Sequence, residues 1–131
     1  LKHFMRYSKR KTNIKNLLMN QRFVAGLGNI YCSEILYAAE IAPTRDVGSL
    51  RENEMNKIVS STKKVLKKAI KLGGTTIKNF VVSDEKIGYF KNVLKVYGRE
   101  NFNCYRCEGG KKVKKIVQSG RSTFFCSSCQ L

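Results

Sequence analysis

Cys104-Tyr105-Arg106-Cys107 and, eighteen residues later, Cys126-Ser127-Ser128-Cys129 form two Cys-x-x-Cys pairs near the end of the chain. Each pair can curl in a tight turn that aims two sulfurs at one point. Two such knuckles supply the tetrahedral thiolate set of a structural zinc ribbon. Two disulfides or four ordinary thiols are the alternatives. No apolar leader segment opens the chain, which favours a reducing compartment and disfavours disulfides. With sulfur in all four positions no water reaches the ion, so one zinc on Cys104, Cys107, Cys126 and Cys129 is expected to hold structure rather than hydrolyse anything. Arg106, Lys111, Lys112, Lys114, Lys115 and Arg121 lie around this doubly negative centre in sequence.

Between the pairs, residues 112–117 and 122–125 read as two short strands around Gln118-Ser119-Gly120-Arg121, a hairpin with Arg121 near its tip. Upstream the pattern is helical. Thr12 or Asn13 can cap a first helix whose Ile14, Leu17 and Leu18 follow helical spacing, continuing loosely to Val24. Ala25-Gly26-Leu27-Gly28-Asn29 is a glycine turn, in which two glycines permit backbone angles that other residues resist. Asn29 is placed as the N-cap of a second helix, from Ile30 to about Ala39, with Ile35, Leu36 and Ala39 facing inward. After Pro43, Ser49-x-x-Glu52 reads as a capping box opening a long helix to about Leu72. Met55, Ile58, Val59, Thr62, Val65, Leu66, Ala69 and Ile70 give that helix a buried side. Its lysines, from Lys57 to Lys71, fall on the other side as either a solvated face or a nucleic-acid contact. Gly73-Gly74 ends it. The expected architecture is mainly α: a helical domain over residues 1–97, then a β-hairpin zinc finger over residues 98–131.

Twenty-six Lys and Arg against nine Asp and Glu give a net charge of +17, so the surface presents a strong positive field. Such a field attracts polyanions. In a basic protein with a zinc ribbon the polyanion expected is nucleic acid, with an anionic membrane surface as the competitor. No stretch is long and apolar enough for a transmembrane helix. The glycine turn opening onto a helix is a plausible phosphate cradle, because unpaired N–H groups at a helix start carry partial positive charge. Most such turns are architectural, but beside this net charge and an exposed Arg121 the turn becomes part of a coherent surface. His3, the only histidine, has no local partner for general-base work, and Cys32 reads as a small buried residue. Tyr31, Tyr37, Tyr89, Phe90 and Tyr97 read as core more readily than as base-stacking groups.

The run from Lys15 to Thr44, with Phe23-Val24-Ala25-Gly26-Leu27-Gly28-Asn29-Ile30-Tyr31-Cys32-Ser33-Glu34, resembles the helix–two-turn–helix module of bacterial formamidopyrimidine-DNA glycosylases and their endonuclease VIII relatives. Gly73-Gly74-Thr75-Thr76, Gly88-Tyr89-Phe90, Val96-Tyr97-Gly98-Arg99 and Arg121-Ser122-Thr123-Phe124-Phe125-Cys126 follow in the family's order. The resemblance implies that Lys15, Gly28, Asn29 and Arg121 contact DNA phosphates. It also implies that residues 83–89, with Lys86, Gly88 and Tyr89, form the loop that closes over an extruded oxidised purine. Such enzymes act through an amino-terminal proline followed by a glutamate, but here Leu1 opens the chain and Pro43 is the only proline. No catalytic residue is therefore expected in this chain. The resemblance implies the DNA-binding part of a base-excision repair glycosylase and abasic-site lyase for oxidised purines, such as 8-oxoguanine and formamidopyrimidines. A monomer in the bacterial cytoplasm is expected, partnered by double-stranded DNA with oxidised bases or abasic sites and by an N-terminal catalytic domain. A non-catalytic zinc-ribbon module of ribosomal or architectural type is the alternative.

Overall fold

The computed structural model describes residues 11–20, 28–71 and 94–131, with side chains described to Lys68 in the long helix. The basic lead-in, Gly26-Leu27 of the glycine turn, Gly73-Gly74 and the loop residues Lys86, Gly88 and Tyr89 lie outside the described residues. Three helices followed by a two-stranded antiparallel hairpin make up the described fold.

Helix α1, Ile14–Met19, starts at Asn13, whose side chain accepts the Asn16 N–H at 2.8 Å. Six residues are too few to stand alone in water, so packing holds this helix: Ile14, Leu17 and Leu18 are at most 1% exposed. The helix stops at Met19, with Asn20 in extended conformation, rather than running on to Val24 as the apolar pattern suggested. A short bridge ties its start to the chain after α2, through Ile14 N–H to the Arg45 carbonyl and Val47 N–H to the Thr12 carbonyl.

Helix α2, Asn29–Ala39, is capped by Gly28, not by Asn29. Gly28 has φ −92°, an angle open to any residue, so backbone freedom is not the reason for glycine there. At the other end Glu40 takes the left-handed conformation (φ 62°), and the N–H groups of Glu40 and Ile41 close back on the carbonyls of Tyr37 and Leu36. That is a Schellman ending built on a residue other than glycine.

Helix α3, Glu52–Lys71, buries Met55 and Ile58 against α2 and leaves Lys57, Lys63, Lys64, Lys67 and Lys68 exposed. Its reach-back cap is displaced by two residues from the Ser49/Glu52 expectation: the Glu54 carboxylate accepts the Arg51 N–H at 3.0 Å. Ser49 instead ends a 3-10 turn, Val47–Ser49, and donates its hydroxyl to the Asp46 carbonyl. Glu54 serves better because it also meets the Arg45 guanidinium, with 3.0 Å contacts to each carboxylate oxygen.

Strands β1, Lys114–Gln118, and β2, Arg121–Phe125, pair in register from Lys114 opposite Phe125 to Gln118 opposite Arg121. The two turn residues, Ser119 (φ 50°) and Gly120 (φ 76°), both have positive φ, which matches the right-handed strand twist and explains the glycine. One core lies among the three helices, around Leu17, Ile35, Leu36 and Ile58. A second joins Val96, Val113, Phe124, Cys104 and Cys126 to Tyr37 of α2, so the ribbon is packed onto that helix.

Candidate nucleic-acid interface and metal centre

Three residues far apart in sequence meet where α1, the start of α2 and the hairpin converge. The Lys15 ammonium donates to Asn29 Oδ1 at 2.5 Å, and Asn29 Nδ2 donates to the main-chain carbonyl of Ser122 at 2.8 Å. Arg121, next to Ser122, is exposed and shares with Lys15 an open groove of about 330 Å³, which Asn16, Met19, Asn20, Gln118 and Ser119 complete. The hairpin is held against α1 by the Ser119 hydroxyl on Asn16 Oδ1 (3.2 Å), and against the inter-helix connection by Gln118 Nε2 on the Pro43 carbonyl (3.2 Å). Asn29 missed its predicted role as cap because its side chain is recruited by these distant partners. Gly28 caps with no side-chain hydrogen bond, so the first N–H groups of α2 have no side-chain acceptor from the cap.

The electrostatics favour an anion here. Lys15 is 1% exposed, and burial is the main reason its pKa falls below the ordinary lysine value; Arg121 nearby lowers it further, while Cys32 opposes. Burial pushes the Cys32 thiol up to about 12, so it is neutral near pH 7 and offers Lys15 no counter-charge there. Cys32 is thus the inert buried residue that its helix position suggested. A buried ammonium beside a guanidinium and a helix start forms a site that gains by taking up a phosphate.

The four cysteine sulfurs lie within 4.8 Å of one another. Cys104 and Cys129 are 3.8 Å apart and Cys107 and Cys126 3.7 Å. A tetrahedron with metal–sulfur bonds of about 2.3 Å has edges of about 3.8 Å, whereas a disulfide would need about 2.05 Å. The set could hold one metal ion, and it fits the size of zinc. Tyr37, which sequence reading did not assign to this site, and Arg106, which it placed around the centre, support it. The Tyr37 hydroxyl lies 3.2 Å from Cys104 Sγ, and Arg106 donates to Cys129 Sγ at 3.2 Å while stacking 3.8 Å above the Tyr37 ring. Burial pushes the Cys104 thiol up, but hydrogen bonds from the Tyr37 hydroxyl and from the Cys107 and Arg106 main chain outweigh it and bring it down to about 6. Tyr37 had been read as core; it is core and sulfur partner together.

Glu34 was also missed. Its carboxylate, 7% exposed, accepts the main-chain N–H groups of Lys95, Val96 and Tyr97 at 2.6, 2.9 and 2.9 Å. This clasp fixes the entry to the ribbon on α2. Below it, Ser33 Oγ accepts the Phe124 N–H, and Gln130 Nε2 donates to the Ile41 carbonyl. A carboxylate five places after a helix start gives no local sign of such distant partners.

A model of the formamidopyrimidine-DNA glycosylase H2TH domain matches residues 2–81. This chain belongs to that family. Among curated relatives of the H2TH family, the formamidopyrimidine-DNA glycosylase of Rickettsia felis is 50% identical over 121 residues, 92% of this chain and 43% of its own length. That of Hydrogenovibrio crunogenus is 45% identical over 127 residues, 97% of this chain and 45% of its own. The chain thus spans less than half the length of these relatives. A Lactococcus lactis Fpg in complex with DNA containing an abasic site superposes with a TM-score of 0.84 at 37% identity, over 98% of this chain and 46% of that one. MutM in complex with DNA containing carbocyclic 8-oxo-G gives 0.82 at 37% identity, over 98% and 45%. The helix–two-turn–helix plus four-cysteine hairpin is therefore an H2TH-family architecture, and the likenesses do not favour a ribosomal or architectural module. No helix among the described residues is long and apolar enough to cross a membrane.

Proposed function

We propose that this chain is the DNA-gripping part of a base-excision repair glycosylase and abasic-site lyase for oxidised purines, with the nucleophile supplied by a domain outside it. The observation that carries the reading is the convergence of Lys15 and Arg121 on one cationic groove, with Asn29 hydrogen-bonded both to Lys15 and to the Ser122 carbonyl beside Arg121. Asn29 offers its second amide hydrogen, Lys15 its remaining ammonium hydrogens and Arg121 its guanidinium to the phosphates beside a displaced nucleotide. A base must leave the stack before its glycosidic bond is reachable, so a firm hold on the bent backbone is what this half contributes. One zinc on Cys104, Cys107, Cys126 and Cys129 supplies a rigid crosslink with no open coordination position. The working protein is a cytoplasmic monomer bound to lesion-containing duplex DNA.

Binding to a short duplex with a tetrahydrofuran abasic analogue, compared with undamaged duplex, tests this. Arg121→Ala and Asn29→Ala should each weaken the lesion complex by about tenfold or more, the worth of a charge-assisted phosphate contact. Unchanged affinity in both variants, or equal affinity for damaged and undamaged duplex, would remove the assignment.

A further inference from the structure

We propose that the outer face of α3 is a second nucleic-acid surface, which takes the phosphodiester backbone of a duplex segment other than the one held at Lys15, Asn29 and Arg121. Lys57, Lys63, Lys64, Lys67 and Lys68 are all exposed on the side of α3 opposite Met55 and Ile58. The acidic residues of this helix, Glu52 and Glu54, sit in its first turn, and Glu54 is committed to Arg45. No acidic partner reaches these lysines among the described residues, where Arg45–Glu54 is the ion pair formed.

Lys63 and Lys67, Lys64 and Lys68, and Lys64 and Lys67 are helical neighbours. Each such like-charge pair is destabilising in an isolated helix. The helix dipole repays only the lysines of the last turn, so the ladder is destabilising until an anion covers it. Lys63 to Lys68 places four ammonium groups within about 8 Å of helix axis, a density that suits a duplex carrying about one charge per 1.7 Å. A membrane surface fits less well: an interfacial helix must insert an apolar face, and that face of α3 is spent on the core with α2. The lysine face points away from α2, whereas the Lys15 cluster lies between α1, the start of α2 and β2. The two surfaces can therefore hold separate backbone segments.

The test uses the full-length protein and two short lesion duplexes, one labelled with a donor and the other with an acceptor. Energy transfer should report two duplexes on one protein. Replacing the ladder (Lys63→Gln, Lys64→Gln, Lys67→Gln, Lys68→Gln) should cut that transfer about fivefold or more and make the salt dependence on long undamaged DNA shallower by about two to four units, one per lost phosphate contact. Affinity for a single short lesion duplex should change less than about twofold. Arg121→Ala should do the reverse, weakening the lesion complex while the ladder still retains undamaged DNA, so the two surfaces fail separately. Transfer and salt slope unchanged in the ladder variant would overturn the proposal. So would loss of binding to phosphatidylserine vesicles with duplex bridging intact.

Discussion

Lys15 and Glu34 are both buried charged residues, and they are tolerated for different reasons. Glu34 is fully employed by three main-chain donors. Glu34→Ala leaves those N–H groups without their acceptor and should lower the unfolding free energy by about 2–4 kcal/mol, measured by urea titration. Lys15 is held charged at a cost, since burial first and Arg121 second depress its pKa below 10.5. In the window between the depressed and the ordinary value, the unfolded chain binds more protons than the folded one, so stability rises with pH there. Phosphate binding needs the protonated form and should fall over the same window. Opposite pH trends in thermal melts and in lesion-duplex titrations, with the binding trend flattened by Lys15→Arg, are the expected result. The residue types were legible in the sequence, and the resemblance named Lys15, Asn29 and Arg121. Glu34 was not legible, because its partners lie sixty-one to sixty-three positions away.

At the scale of the elements, local rules placed the pieces well where the deciding contacts are local. The hairpin follows from two short strand-like runs around the Gln118-Ser119-Gly120-Arg121 turn, and α2 and α3 from three-and-four spacing. The misses are at boundaries. Apolar spacing extended α1 past Met19; Ser49 matched a capping box that Arg51 and Glu54 form instead, because Glu54 gains Arg45 as well. The end of α2 falls at Ala39, as the spacing indicated, although Glu40 just after it occupies a left-handed position usually given to glycine. Glu40→Gly should therefore raise stability by about 1 kcal/mol, seen as a higher midpoint in thermal melts.

Across the whole molecule, the four-cysteine site and the cluster of Lys15, Asn29 and Arg121 are mechanically connected. Tyr37 belongs to α2 yet packs with Phe124 and Cys104, and β2 carries both Arg121 and the Ser122 carbonyl that orients Asn29. Removing a bound metal should release the four sulfurs, loosen the hairpin and move Arg121 and the Ser122 carbonyl away from Lys15 and Asn29, while the separate core of α1, α2 and α3 persists. Chelation should then abolish preference for the abasic-analogue duplex while far-ultraviolet circular dichroism keeps most of its helical signal. Loss of helix in step with metal would show that the two cores are one cooperative unit. Sequence spacing announced the cysteines, but not this dependence, which rests on a tyrosine sixty-seven positions from its sulfur partner.

The atom of residue 122 that steadies Asn29 is a peptide oxygen, which every amino acid carries. Evolution can therefore rewrite the side chain at that position without touching this contact, and variation there among kin would say nothing about whether Asn29 is still held. Conservation is to be sought instead in the shape of the strand that presents the oxygen.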